Sequence, residues 1–280
     1  MPRLTGFVSD GLVFQVRDDG PLDGPAVIAL HGFPQTSASW SVVTPLLVEA
    51  GYRVLAPDQR GYSPGARPQD VRSYATASLG ADVLALADAA GAARFHLLGH
   101  DWGAAVAWWL AGRRNERVAS LTAISVPHPA AMRRALLGAQ ALRSWYIGLF
   151  QLPVLPELLL RASDGAFARR LLTRSGLLDV EPAVRLLAQP GAARAALNWY
   201  RALRLPGGLD AGRIRVPTLL VWSDGDTAIG ERAARGAADL VDGPYRFEVL
   251  RDASHWVPEQ RGRELVVEVL AHLAAHPVPA

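Results

Sequence analysis

Six short apolar runs, at residues 26–30, 53–56, 94–98, 118–126, 218–222 and 245–250, alternate with longer stretches of helical spacing. Short apolar runs of this kind read as strands buried on both faces, and strands separated by helices pair in parallel. Helices are expected at 39–50, 74–90, 102–111, 228–241 and 264–275, with Leu79, Val83, Leu86 and Ala87 on one stripe of the second. Residues 7–8 and 12–16 flank Ser9-Asp10-Gly11 and predict a leading hairpin. The pattern implies an α/β fold: a mostly parallel sheet with helices on both faces.

The alternation stops between residues 128 and 211. This stretch of 84 residues holds only five Val, Ile or Thr (Ile147, Val154, Thr173, Val180 and Val184), while Leu, Ala and Arg dominate. Strand signal is missing there, so the segment is expected to be an all-helical lid inserted into the core. The division that follows is 1–127 and 212–280 for the two parts of the core, with 128–211 as the helical cap. A chain of 280 residues suits one core with such an insertion.

Composition excludes several functions. With no Cys there are no disulfides, thiolate metal sites or thiol nucleophiles. All 29 basic residues are Arg, which lifts the pI to about 9.7 although the net charge is only +3. These arginines are interspersed with acids, so nucleic-acid binding is not expected. No signal peptide is evident, and Gln151, Pro153, Pro156 and Glu157 interrupt the most apolar stretch, 144–160. The expectation is a soluble, cytoplasmic protein without stable membrane insertion, with 152–160 packed inside the lid in preference to touching a membrane surface, and homo-oligomerisation left open.

The chemistry concentrates at strand ends. Gly99-His100-Asp101-Trp102-Gly103 stands between an expected strand and an expected helix. Small residues on both sides of a central side chain at such a turn make a nucleophile elbow, with the central residue raised above the sheet. Alone, the motif also describes an aspartate capping a helix; its place between strand and helix favours the nucleophile. A carboxylate attacking a saturated carbon forms an ester that water can cleave, whereas a serine would form an inert ether. His31-Gly32-Phe33-Pro34 follows the 26–30 strand, and the backbone N–H groups of Phe33 and Trp102 are the candidate oxyanion hole. Asp224 and Asp226 follow the 218–222 strand, and His255 follows the last strand. The order Asp101, Asp226, His255 is nucleophile, acid and base, with Asp224 as the competing acid.

With these motifs the chain resembles the epoxide hydrolase group of the α/β-hydrolase fold superfamily, from the His31 loop to Trp256. Asp58-Gln59-Arg60-Gly61-Tyr62-Ser63 and Ser125-Val126-Pro127-His128-Pro129 add to the likeness. In that family two lid tyrosines bind the epoxide oxygen. Residues 145–151, containing Tyr146 before Gln151, resemble the first tyrosine segment, and Asn198-Trp199-Tyr200-Arg201 resembles the second. The resemblance implies Asp101, Asp226, His255, Tyr146 and Tyr200 as catalytic residues, and Asp226 rather than Asp224 as the acid. It implies conversion of an epoxide and water to a vicinal diol, with no cofactor and no metal. The aromatic residues Trp145, Phe150, Trp199 and Trp256 are candidate pocket residues and suggest a small apolar or aryl epoxide.

The nearest alternative is a haloalkane dehalogenase, which shares the aspartate and histidine but leaves both tyrosines without a task. A fluoroacetate-type dehalogenase is disfavoured by Trp102 where an arginine is usual, and an ordinary esterase by aspartate at the elbow. A non-catalytic ligand-binding protein on the same scaffold is the remote alternative.

Overall fold

The computed structural model describes residues 2–278. The chain opens with a hairpin of β1 (Gly6–Ser9) and β2 (Leu12–Asp19), turned at Asp10 and Gly11, both with positive φ. Then follow β3 (Ala26–Leu30), α1 (Val43–Glu49), β4 (Arg53–Pro57), α2 (Thr76–Ala89), β5 (Phe95–His100), α3 (Trp102–Arg113) and β6 (Val118–Ile124). Next come α4 (Pro129–Ala135), α5 (Gln140–Arg143), α6 (Trp145–Phe150), α7 (Leu155–Arg174), α8 (Glu181–Ala188) and α9 (Ala192–Arg201). No strand interrupts them among the described residues. The chain ends with β7 (Thr218–Ser223), α10 (Glu231–Arg235), β8 (Tyr245–Leu250), α11 (Val257–Gln260) and α12 (Gly262–Ala275).

The sheet runs β1-β2-β4-β3-β5-β6-β7-β8. β1 and β2 pair antiparallel, as do β2 and β4, and all later pairs are parallel. Every residue of β3, β4, β5, β6 and β7 is buried, as expected for strands covered on both faces. On one face Leu79, Val83, Leu86 and Trp108 of α2 and α3 close the core. On the other, Leu47 of α1 and Leu265, Val269 and Leu273 of α12 do so. Leu30 lies opposite Gly99 and His100 opposite Ile124. The loops after β3, β5 and β6 therefore leave the sheet side by side at its carboxyl edge, where ligands of open α/β sheets bind.

Two expectations fail locally. The helix expected over 228–241 is only the five residues of α10, followed by a 3₁₀ turn at Ala238–Leu240. The Asp226 side chain accepts the N–H groups of Ala228 and Ile229, and Gly230 beyond them is extended (φ −82°, ψ 152°), so the helix starts only at Glu231. The apolar stretch 152–160 was expected inside the lid, yet Leu152, Val154, Leu155 and Leu158 are exposed and only Pro156 and Leu160 are buried. Among the described residues no helix is long and apolar enough to cross a membrane.

Helix α4 packs against α10 and the end of β7 through Ala135, Trp222, Ile229 and Ala233. The two crossings between the sheet and the helical segment are tied together by His128, whose Nε2 lies 2.9 Å from the Gly212 carbonyl. On the other side α9 rests on the loop after β4. The Trp199 indole N–H donates to the Arg60 carbonyl at 2.8 Å. Arg60 is itself buried and makes a two-pronged ion pair with Asp82 of α2, both contacts 2.8 Å. Removing one partner of a buried pair strands the other charge, at a cost of about 3–5 kcal/mol. Asp82→Ala is expected to lower unfolding free energy by that order in urea, and a loss under about 1 kcal/mol would show that the pair does not anchor this loop.

Candidate active site

Asp101 occupies the turn between β5 and α3 with φ 52° and ψ −120°, a conformation unfavourable for any side chain but glycine. Its neighbours permit the bend. A Cβ on Gly103 would lie 2.1 Å from the Leu30 carbonyl oxygen, and one on Gly99 would lie 2.4 Å from the Gly103 oxygen. Gly32 gives way to the aspartate itself, since a Cβ there would stand 2.3 Å from the Asp101 Cβ. The small residues of the motif thus make room for a crossing of three chain segments above β5.

The carboxylate is held at both oxygens. The Phe33 N–H donates to Oδ1 at 2.8 Å, and His255 Nε2 stands 3.4 Å from Oδ2. Trp102 is the first residue of α3, so its N–H belongs to the helical turn that has no acceptor within the helix. The Phe33 loop is fixed from behind by His31, which accepts the Gln59 backbone N–H at Nε2 (3.1 Å). The other ring nitrogen, Nδ1, then carries the proton and donates to the Gly32 carbonyl at 3.0 Å. Burial lowers the His31 pKa, in keeping with this neutral, structural role.

His255 Nδ1 lies 2.8 Å from Asp226 Oδ2, and Asp226 Oδ1 accepts from Ala228 (2.7 Å) and Ile229 (2.9 Å). His255, Asp226 and Ile229 are buried, and the two backbone N–H groups satisfy the second carboxylate oxygen. Asp224 is exposed and turned elsewhere, its Oδ1 accepting the Asp252 N–H at 2.8 Å. Two residues outside the candidate set hold the histidine's backbone. The Ser125 hydroxyl donates to the His255 carbonyl at 2.7 Å, and His100 Nε2 donates to it at 2.9 Å. Both lie in motifs visible in the sequence, but their partner is 130 and 155 residues away, so no local pattern points to it.

A cavity of about 310 Å3 lies over Asp101. Tyr146 of α6 and Tyr200 of α9 line it together with Asp101 and Trp102, their rings 6.1 Å apart. The remaining wall is mostly aliphatic, including Val126, Met132, Leu136, Ile147, Leu203 and Ile229. The four aromatic residues expected in the pocket stand around it instead. Trp145 is 55% exposed on the outer side of Tyr146. Phe150 is fully buried behind the tyrosines, 5.0 Å from Tyr200 and 5.6 Å from Phe33 between ring centres. Trp199 packs on Trp102, and Trp256 packs on His255 with its indole N–H on the Ser175 hydroxyl. They support the lining residues rather than form the wall.

Electrostatics follow from this packing. Burial opposes a charge on His255, but Asp226 and Asp101 outweigh it and raise its pKa to about 10. Burial likewise disfavours the Asp101 carboxylate, while His255, His100 and the Phe33 N–H hold its pKa below the ordinary value. Burial and the nearby Asp101 charge push both Tyr146 and Tyr200 above the ordinary phenol value, so both remain O–H donors at neutral pH. Among the described residues no group of three or more His, Asp or Glu side chains is placed to hold a metal ion.

The family described as alpha/beta hydrolase fold matches this chain over residues 25–261. A Bacillus subtilis (strain 168) protein of the AB hydrolase superfamily is 36% identical over 276 residues, covering 94% of this chain and 96% of its own. Epoxide hydrolase A of Mycobacterium tuberculosis is 32% identical over 310 residues, with 95% of each chain covered. The crystal structure of epoxide hydrolase A from Mycobacterium thermoresistibile superposes with a TM-score of 0.83 at 28% identity, covering 98% of both chains. The chain belongs to the epoxide hydrolase group of the α/β-hydrolase fold family.

The raised pKa of His255 carries a sign for stability. The folded protein keeps this proton between the ordinary 6.5 and about 10, where the unfolded chain releases it. The contribution is full below that window and is lost as pH rises through it. Asp101→Asn removes one of the two carboxylates, so urea denaturation at pH 7 and pH 9.5 is expected to show a smaller loss in the variant than in the wild type. Equal losses would mean that Asp101 does not hold the histidine charged.

Proposed function

We propose that the protein hydrolyses an epoxide to a vicinal diol through a covalent ester on Asp101. The observation that carries this reading is one cavity lined by a carboxylate and two phenols, one buried and one half-buried, with an imidazole 3.4 Å from the carboxylate. A carboxylate is a nucleophile for a strained sp³ carbon, and an opening epoxide needs acidic donors for the oxygen it releases. The helical segment 128–211 acts as the cap that brings those phenols over the sheet.

Asp101 Oδ2 attacks a ring carbon while Tyr146 and Tyr200 hydrogen-bond the ring oxygen. The ring C–O bond breaks and a phenol supplies the proton. Oδ1, already on the Phe33 N–H, becomes the carbonyl oxygen of the ester. Ester formation removes the negative charge of Asp101, and with it one of the two attractions that keep His255 protonated. The histidine then yields its proton, through solvent, to the phenolate left by ring opening, and the neutral imidazole acts as a base. It takes a proton from water attacking the Asp101 carboxyl carbon, and the Phe33 and Trp102 N–H groups hold the oxyanion. Collapse releases the diol and restores the carboxylate, and the proton taken from water replaces the one His255 passed to the phenolate. Asp226 holds Nδ1 and orients the ring. The aliphatic wall suits an apolar epoxide body.

Asp101→Ala is expected to abolish diol formation. Tyr146→Phe and Tyr200→Phe should each lower kcat by about a hundredfold or more, the usual contribution of a general acid. His255→Gln stops the cycle after alkylation, so intact-mass spectrometry should find the protein heavier by one epoxide. Halide release from matched chloro- and bromoalkanes, with no diol from any epoxide, would instead assign a dehalogenase.

A further inference from the structure

Beside the catalytic cavity, on the outer side of Tyr146, lies a groove of about 600 Å3. Tyr146 borders both spaces, and the consecutive residues Ala228 and Ile229 face the groove and the cavity respectively. Trp145, Phe167 and Leu171 give the groove an apolar side, and Arg143, Arg170 and Arg174 line it as well. Phe167, Arg170, Leu171 and Arg174 recur at helical spacing along the second half of α7, so one face of that helix presents apolar and cationic groups together.

Of the eleven arginines of residues 128–211, only Arg169 and Arg201 have a carboxylate partner within 4.0 Å among the described residues, and the three that line the groove belong to the unpaired majority. Arg169 pairs with Glu181 and Arg201 with Glu157, but no carboxylate lies within 4.0 Å of Arg143, Arg170 or Arg174 among the described residues. Arg143 is committed to the Asp226 carbonyl (2.9 Å), which leaves Arg170 and Arg174, one turn apart, repelling each other without a counter-charge. The wider charge distribution has the same sense. Residues 128–211 carry eleven Arg and five acids, whereas the rest of the chain carries eighteen Arg and twenty-one acids. The positive surplus of the whole protein is therefore concentrated in the segment that bears this groove.

We propose that the groove is an anion-accepting subsite of the catalytic cavity. It takes the carboxylate end of an amphiphilic substrate against Arg170 and Arg174, with the apolar body along Trp145 and Phe167 and the reactive end passing Tyr146 toward Asp101. The guanidinium fork matches a carboxylate, and the aromatic side covers a hydrocarbon chain. That the reactive end is an epoxide rests on the function proposed above; the preference for an anion does not.

Two measurements keep those claims apart. In calorimetry, octanoate is expected to bind one to one and about tenfold more tightly than octanol, as expected for charge-assisted pairing to two guanidiniums. Arg170→Gln with Arg174→Gln, or high salt, should bring the two ligands to the same affinity. Equal affinities in the wild type, or an anion preference that survives the double variant, would overturn the subsite. In kinetics, an alkyl epoxide ending in a carboxylate is compared with its methyl ester. The acid should be favoured about tenfold in kcat/KM through KM, and the ratio should fall to about one in the double variant. Diol formed equally from both would overturn the subsite while leaving the epoxide reading intact. Octanoate binding that depends on the two arginines, without turnover of either epoxide, would support the subsite and overturn the epoxide reading.

Discussion

The whole site depends on one backbone conformation that most residues avoid. Asp101 is held at φ 52° because β5, α3 and the loop after β3 cross above the sheet with no room for side chains at Gly32, Gly99 and Gly103. Such a conformation costs on the order of 1–3 kcal/mol and persists only where surrounding structure over-determines it. Here the fully buried strands and the packed first turn of α3 supply that support. In return the carboxylate leaves the sheet at a fixed height, with the Phe33 N–H on one oxygen and the imidazole near the other.

Around that carboxylate, buried polar groups are arranged so that each has a defined protonation state. His255 stands between two carboxylates and is held as a cation, while His31 and His100 are buried against backbone carbonyls and are held neutral. The contrast comes from partners and not from depth, since all three rings are nearly inaccessible. The phenols of Tyr146 and Tyr200 face the same negative charge and keep their protons. One ionised aspartate thus bears on the protonation of an imidazole and of two phenols at once.

Much of the frame was legible because buried parallel strands leave a local signature. The runs at 26–30, 53–56 and 245–250 match β3, β4 and β8 closely, having no alternative periodicity. The carboxylate and the imidazole stand in motifs at the ends of such elements, whereas Tyr146 and Tyr200, in helices, were expected only from the family resemblance of their segments. The pocket wall was not. Neighbours on a helix point about 100° apart, so a tryptophan beside a lining tyrosine faces another direction, as Trp145 does beside Tyr146 and Trp199 beside Tyr200. Phe150 shares the face of Tyr146 but sits one turn deeper, against Phe33. The short α10 was hidden for a different reason: Gly230 is extended (φ −82°, ψ 152°), so the helix starts only at Glu231.

The attachment of α9 links the two halves of the site. Tyr200 follows Trp199, and Trp199 is fastened by its indole to the carbonyl of Arg60, in a loop that belongs to the sheet. The height of one phenol above the aspartate is therefore written into the core and not into the helical segment alone. The two parts are consequently poor modules: a helical segment grafted from a relative would bring its tyrosine but not the seat on which that tyrosine is levelled. Any change that shifts the β4–α2 loop therefore shifts Tyr200 with it, because Trp199 carries the displacement across the boundary between sheet and helices.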